Sequence, residues 1–226
     1  SLYLAKPHHT VIAAVRSPSS PSTQALTSLP TGTSSRLITV KIDACIEGDA
    51  AAAVESLRTN HGISYIDVVV ANAGVSYVFP KVSELRIEDL MGHMTPNVFG
   101  LVWLYQATLP LLLRAGRPRW VTMGSVAGSI ESQPPMNNAA YGPSKATAHW
   151  LTKRMHSEEA TLAAFVTSPG WCQTDMGNSG AKAFGLEEAP VSVETSCGCM
   201  VELIEGASRE GRGGRMWGYE GDLMAW

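Results

Sequence analysis

Short β-branched runs alternate with longer stretches of helical spacing along this chain. Residues 11–15, within Thr10-Val11-Ile12-Ala13-Ala14-Val15, are apolar and β-rich and predict a buried strand. Further strands are predicted over residues 37–42, 66–70, 120–123, 163–167 and 215–217. Between them, residues 49–59 predict an Ala-rich helix capped by Asp49. Residues 84–114 predict helix disturbed at Gly92 and Pro96, and residues 141–157 another helix. A last helix is predicted over residues 192–206, with Ser192 as its cap and Glu194 in its first turn. Residues 1–6 predict the tail of a helix closed by Pro7, and the Ser/Thr/Pro-rich residues 17–35 a loop with a short helical stretch. The strand runs are continuous in apolar character rather than alternating, as in a parallel sheet covered on both faces. Strand and helix in this order predict an α/β fold.

Composition narrows the partners. Across 226 residues, 45% are hydrophobic and 16% charged, enough for one sizeable core. The formal charge of −3 argues against nucleic acid and anionic membrane surfaces. The most apolar run, residues 101–113, is broken by Gln106 and Pro110 and is too short to span a bilayer. Cys45, Cys172, Cys197 and Cys199 form no C-x-x-C pair, so neither zinc nor a disulfide framework is expected, and a reducing cytoplasm suits them. Residues 1–10 lack the basic flank and apolar core of a signal peptide.

Ligands of such sheets bind beyond the carboxyl ends of the strands. After the third strand stands Asn72-Ala73-Gly74, whose small residues let backbone approach a flat ligand; a plain turn would read the same. After the fourth stands Gly124-Ser125-Val126-Ala127-Gly128, whose hydroxyl is able to bond a substrate oxygen or its own turn. Tyr141-Gly142-Pro143-Ser144-Lys145 opens a helix and places Tyr141 and Lys145 on one face. A lysine cation there is expected to lower the tyrosine pKa and make a proton donor usable near neutral pH.

Taken in this order and after these strands, Asn72-Ala73-Gly74, Ser125, Tyr141 and Lys145 resemble the short-chain dehydrogenase/reductase family over essentially the whole chain. The resemblance implies a Rossmann-type, doubly wound parallel sheet and a single NADP-binding reductase domain over residues 1–226. It implies that Tyr141 is the general acid that protonates a carbonyl oxygen. Lys145 would hold the nicotinamide ribose, and Ser125 would polarise the carbonyl. Asn97, in Thr95-Pro96-Asn97-Val98-Phe99-Gly100, would hold a proton-relay water where Pro96 breaks the helix. Asn72, Ala73 and Gly74 would lie beside the adenine-ribose side of the cofactor, with Asp43 at the adenine. Pro169, Gly170, Trp171 and Thr174 would clasp the nicotinamide end. The first predicted strand ends in Arg16, with no acidic residue, which favours NADP(H) over NAD. The family's T-G-x-x-x-G-x-G phosphate loop has no match. It is expected to precede Ser1 within about 25 residues of strand, loop and helix, by the usual size of that half-unit.

Trp171, Met176 and Phe184 fall in the stretch that forms the family's substrate lid, and Tyr77, Phe79, Met136 and Trp150 add apolar side chains, Trp150 being read as packing. His149-Trp150-Leu151 and Gln173-Thr174-Asp175-Met176-Gly177 are similar to fungal norsolorinic acid ketoreductase-like carbonyl reductases, which implies a bulky aromatic or polyketide ketone. His8, His9, His61, His93 and His156 show no ligand spacing and read as surface or packing residues. Two predicted helices, residues 97–114 and 141–157, carry apolar residues on more than one face, and the resemblance implies that they build a homodimer or homotetramer. Two further functions stay open at this point: a non-catalytic NADP(H)-binding sensor on the same fold, and an isomerase or dehydratase using the same Tyr–Lys pair.

Overall fold

The computed structural model describes all 226 residues. Its strands are β1 (Thr10–Val15), β2 (Arg36–Lys41), β3 (Val68–Ala71), β4 (Arg119–Met123), β5 (Ala163–Ser168), β6 (Met216–Gly218) and β7 (Leu223–Met224). The helices that position the site are α1 (Leu2–Ala5), α2 (Pro21–Ala25), α3 (Asp49–His61), α4 (Ile87–Met94), α5 (Gly100–Leu112), α6 (Tyr141–Glu158), α7 (Asp175–Ala183) and α8 (Val193–Glu205), with a short α9 (Arg209–Arg212) before β6. Strands β3, β4, β5 and β6 pair in parallel in that order, and β7 closes the edge antiparallel.

Both faces of this sheet are covered at β4 and β5, which is why those strands read as unbroken apolar runs, while Val70 of β3 stays exposed. Every residue of β5 is buried. Trp120 and Ala164 pack with Leu101 and Leu112 of α5 and Ala148 and Met155 of α6. The intervening Val121, Met123 and Phe165 pack on the other face with Leu203 and Ile204 of α8. Large side chains so fully buried as Trp120 and Phe165 each contribute about 1.5–3 kcal/mol or more through removal from water. The Trp120 indole Nε1 donates to Thr122 Oγ1 at 2.9 Å, so its burial leaves no orphaned donor.

The expected parallel sheet is present in two parts. Strands β1 and β2 pair in parallel with each other, Val11 opposite Leu37, and not with β3. Ile38 and Val40 pack against Ala53 and Leu57 of α3. The two parts are joined by helices: α3 packs on α5, and α1 on α8. The start of α5 comes so close to the turn after β2 that a Cβ on Gly100 would lie 2.4 Å from the Ala44 carbonyl oxygen. Lys6 and Glu205 form an ion pair across the α1–α8 contact.

Several predicted elements differ in detail. Asp49 is the first helical residue rather than the cap, which is Gly48. Its carboxylate instead accepts the Asp43 N–H at 2.7 Å and pairs with Lys41, fixing the end of β2. Within residues 17–35 lies α2, capped by the Ser20 hydroxyl, followed by a 3-10 turn at Leu26–Ser28. The predicted disturbance at Pro96 is a π-helical turn over Thr95–Phe99 between α4 and α5. Proline has no N–H to continue the ladder, and the Gly100 N–H reaches back to the Thr95 carbonyl. Helices α7 and α9 and strand β7 are additions to the predicted set. No helix is long and apolar enough to cross a membrane.

Candidate active site

The carboxyl ends of β3, β4 and β5 and the start of α6 converge. Tyr141 is the first residue of α6 and Lys145 lies one turn on. Lys145 is only 6% exposed. Its ammonium donates to the Met123 carbonyl at 2.8 Å and lies 5.7 Å from the centre of the Tyr141 ring. Ser125 follows Gly124 just past the end of β4. Its hydroxyl accepts the Ala127 N–H at 3.2 Å and so caps the 3-10 turn Val126–Gly128.

Asn97 ties the site together from the π-helical turn. Its Oδ1 accepts the Val75 N–H at 2.8 Å; its Nδ2 donates to the Val75 carbonyl at 3.0 Å and to Ser144 Oγ at 2.9 Å. The Asn97 amide thereby clamps the loop after β3 onto α6. Both amide hydrogens are committed to protein groups, and one lone pair of Oδ1 is left over. A Cβ on Gly74 would lie 3.1 Å from Asn97 Oδ1 and 3.4 Å from Lys145 Nζ, so this stretch passes close to both.

One cavity of about 230 Å³ gathers the residues expected on the substrate side. Ser125, Tyr141, Trp171, Met176 and Phe184 all line it. Phe79 and Met136 line it too, as does Thr174, expected at the cofactor. The hydroxyl of Thr174 caps α7 through the Gly177 N–H, and Trp171 Nε1 donates to the Gly177 carbonyl at 2.8 Å. Phe184 meets Phe79 and Trp171 edge-on, with ring centres 5.1 and 6.3 Å apart. Ser76, Pro134 and Asn138 also line it without having been singled out in the sequence, because turn residues carry no periodic signal. Trp150 is corrected from packing to surface: it is 65% exposed on α6 and outside the cavity. Tyr77 stacks on the buried His93 ring at 4.2 Å, and His93 in turn meets Tyr141 edge-on at 6.2 Å.

The remaining expected residues lie along the strand ends. Arg16 is exposed just after β1, and Asp43 follows β2, its Oδ1 accepting the Cys45 N–H. Asn72 and Ala73 are exposed beyond β3. Gly170 takes a φ of +77°, which glycine adopts without strain, and the preceding Pro169 carbonyl accepts from the Ser196 hydroxyl at 2.7 Å. The residues fit a dinucleotide with a nicotinamide ribose at Lys145. A buried ammonium has three donors, of which one is bound to Met123, leaving two for vicinal hydroxyls.

Burial dominates the protonation of the pair. It pushes the Tyr141 phenol up to about 12, a hydrogen bond with Ser125 pulling weakly the other way. It lowers Lys145 to about 8. The expected depression of Tyr141 by Lys145 is not seen: desolvation of the phenolate by burial is the largest influence on the phenol. His149, fully buried on the same face of α6, is lowered to about 4 by burial and by the Lys145 charge.

Residues 1–183 match the short chain dehydrogenase family. The norsolorinic acid ketoreductase of Dothistroma septosporum is 39% identical over 230 residues, covering 99% of this chain and 85% of the relative. That of Aspergillus parasiticus is 34% identical over 229 residues, covering 99% and 84%. An NADPH-bound carbonyl reductase from chicken fatty liver superposes with a TM-score of 0.84 at 26% identity, covering 97% of this chain and 88% of its own.

The His149 displacement predicts a stability trend. The unfolded chain takes up a proton on this ring as pH falls through about 6.5, while the folded chain refuses it until about 4. Stability is therefore lost progressively between those values. The thermal midpoint, followed by circular dichroism from pH 6.5 to 4.5, should drop further in the natural protein than in His149→Leu. Equal drops would contradict this account.

Proposed function

We propose, since this chain belongs to the short-chain dehydrogenase family, that it is an NADPH-dependent ketoreductase that reduces a bulky aromatic or polyketide ketone to an alcohol. The observation that carries this reading is the apolar cavity in which the Ser125 and Tyr141 side chains stand together, with the Lys145 ammonium behind them. The nicotinamide supplies the hydride when bound. Lys145, Asn72, Ala73, Gly74, Pro169 and Gly170 would hold the cofactor, and Asp43 its adenine.

Within the cavity Ser125 donates a hydrogen bond to the substrate carbonyl oxygen and polarises it. Tyr141, kept protonated through the neutral range by its burial, gives its phenolic proton to the same oxygen as negative charge develops there. Lys145 holds its charge below about pH 8 and stabilises the phenolate that the transfer leaves. Asn97 contributes by clamping Val75 and Ser144, and its spare Oδ1 lone pair is the place for a relay water. Phe79, Trp171, Met176 and Phe184 offer ring faces and edges to a flat substrate. The fungal relatives named for norsolorinic acid support an aromatic polyketide ketone. Four unpaired cysteines fit a cytoplasmic, reducing setting. Exposed Trp150 on α6 and Phe99 and Met91 near α4 and α5 support a homodimer or homotetramer formed through these helices.

Three measurements test this reading. Tyr141→Phe should lower turnover about 10²–10⁴-fold, the scale of a general acid, with NADPH binding by fluorescence titration retained; near-wild-type turnover would reject the assignment. Arg16→Asp should weaken NADPH about 10–100-fold while sparing NADH, as expected for losing a charged hydrogen bond to the 2′-phosphate; parallel losses for both cofactors would remove Arg16 from that role. Light scattering should give a mass of at least two chains of 24.1 kDa, and a monomer would refute the oligomer.

A further inference from the structure

Helix α6 carries a third polar residue on the face that presents Tyr141 and Lys145. His149 lies one turn beyond Lys145 and is 2% exposed, and nothing in the proposed reaction uses it. Its Nε2 accepts the backbone N–H of Ser125 at 3.3 Å. An imidazole that accepts at Nε2 in its neutral form carries its hydrogen on Nδ1. That Nδ1 is buried with no partner. An orphaned buried donor costs stability, and a leucine would fill the same space without that cost. The imidazole therefore needs a reason of its own at this position.

The surroundings supply one. The last ladder hydrogen bond of the strand end runs from the Gly124 N–H to the Thr167 carbonyl, at 2.8 Å. Past it, the Ser125 N–H turns to the imidazole instead of to a neighbouring strand. The ring is seated between two glycines. A Cβ on Gly124 would lie 2.7 Å from His149 Nε2, and one on Gly128 would lie 2.8 Å from Cε1. Backbone on either side of Ser125 thus closes directly onto the ring. The hydroxyl of Ser125 is then set by the Ala127 N–H inside the same turn.

We infer that His149 is a positioning residue that acts through Ser125, its imidazole fixing the strand-end backbone from which the Ser125 hydroxyl meets the substrate carbonyl. Protonation would set an N–H against the Ser125 N–H, so the neutral ring is the working form, and burial beside the Lys145 ammonium favours that form. The inference rests on the ketoreductase reading above. It adds a residue to that site whose side chain does not line the substrate cavity.

A double-mutant cycle tests it, with the full chain, NADPH and 9,10-phenanthrenequinone as a flat aromatic diketone probe. His149→Leu should lower kcat about 5–10-fold, the scale of one neutral hydrogen bond. Its NADPH dissociation constant should stay within about twofold of the natural protein's, as expected for a group that spares the cofactor. His149→Gln, which keeps an acceptor near the Nε2 position, should recover most of the loss. In the Ser125→Ala background His149→Leu should cost less than about twofold more, because residues that act through one another are not additive. Losses that multiply instead, or an unchanged kcat in His149→Leu, overturn the role of His149. If His149→Leu does not fold, His149→Met, of similar volume and without a nitrogen acceptor, takes its place in the cycle. Wild-type turnover in Tyr141→Phe is a different result, and overturns the ketoreductase reading and this inference together.

Discussion

The ammonium of Lys145 is buried at the carboxyl end of β4 with one protein acceptor, the Met123 carbonyl. Burying a charge so sparsely partnered is costly, and its lowering to about 8 is the signature of that cost. Much of the local architecture is arranged around it. The loop after β3 passes closely at Gly74, where a Cβ would crowd Asn97 Oδ1 at 3.1 Å and touch Lys145 Nζ at 3.4 Å. Tyr141 shares the helix face, and Asn97 fixes α6 against the same loop through Ser144 and Val75. An ammonium with two free donors is poorly satisfied by the protein alone, and the pair of ligand hydroxyls proposed for it would relieve that cost.

The scaffold that carries this corner is the sheet from β3 to β6, covered on both faces at β4 and β5. Its rigidity comes from side chains such as Trp120 and Phe165, packed into opposite faces from adjacent strands. Loops at the carboxyl edge are thereby held while their own composition stays free, and the cavity walls come almost wholly from them. The aromatic and sulfur-containing side chains of the loop and helix after β5 meet those of the loop after β3, Phe184 against Phe79 in particular. A flat substrate would be gripped by the two loops and addressed by Ser125 and Tyr141 from the sheet side.

Much of this was legible in the chain itself. The strand runs appear within one to two residues of their predicted bounds, since a strand covered on both faces must be apolar throughout. Tyr141 and Lys145 were placed on one helix face by spacing alone, and Pro96 announced a break that the fold realises as a π-helical turn. An Asp before an Ala-rich run gives the local signal of a cap, whereas Asp49 reaches back to Lys41 and Asp43. Trp150 stands exposed on α6: hydrophobicity at a helical position does not say whether a neighbour covers it. The turn residues Pro134 and Asn138 went unnoticed for want of any period.

Local spacing and side-chain chemistry thus determined the class of fold, the order of its elements, the Tyr–Lys pair and the serine beside it, because each depends on residues near one another in the chain. Tertiary structure alone decided how those groups are charged and held. The phenol is raised rather than lowered, because the surrounding protein removes the water that would solvate a phenolate. His149 and Ser125 become partners across 24 residues only when α6 packs beneath the end of β4. Desolvation and long-range hydrogen bonding belong to the packed molecule, and no window of sequence contains them.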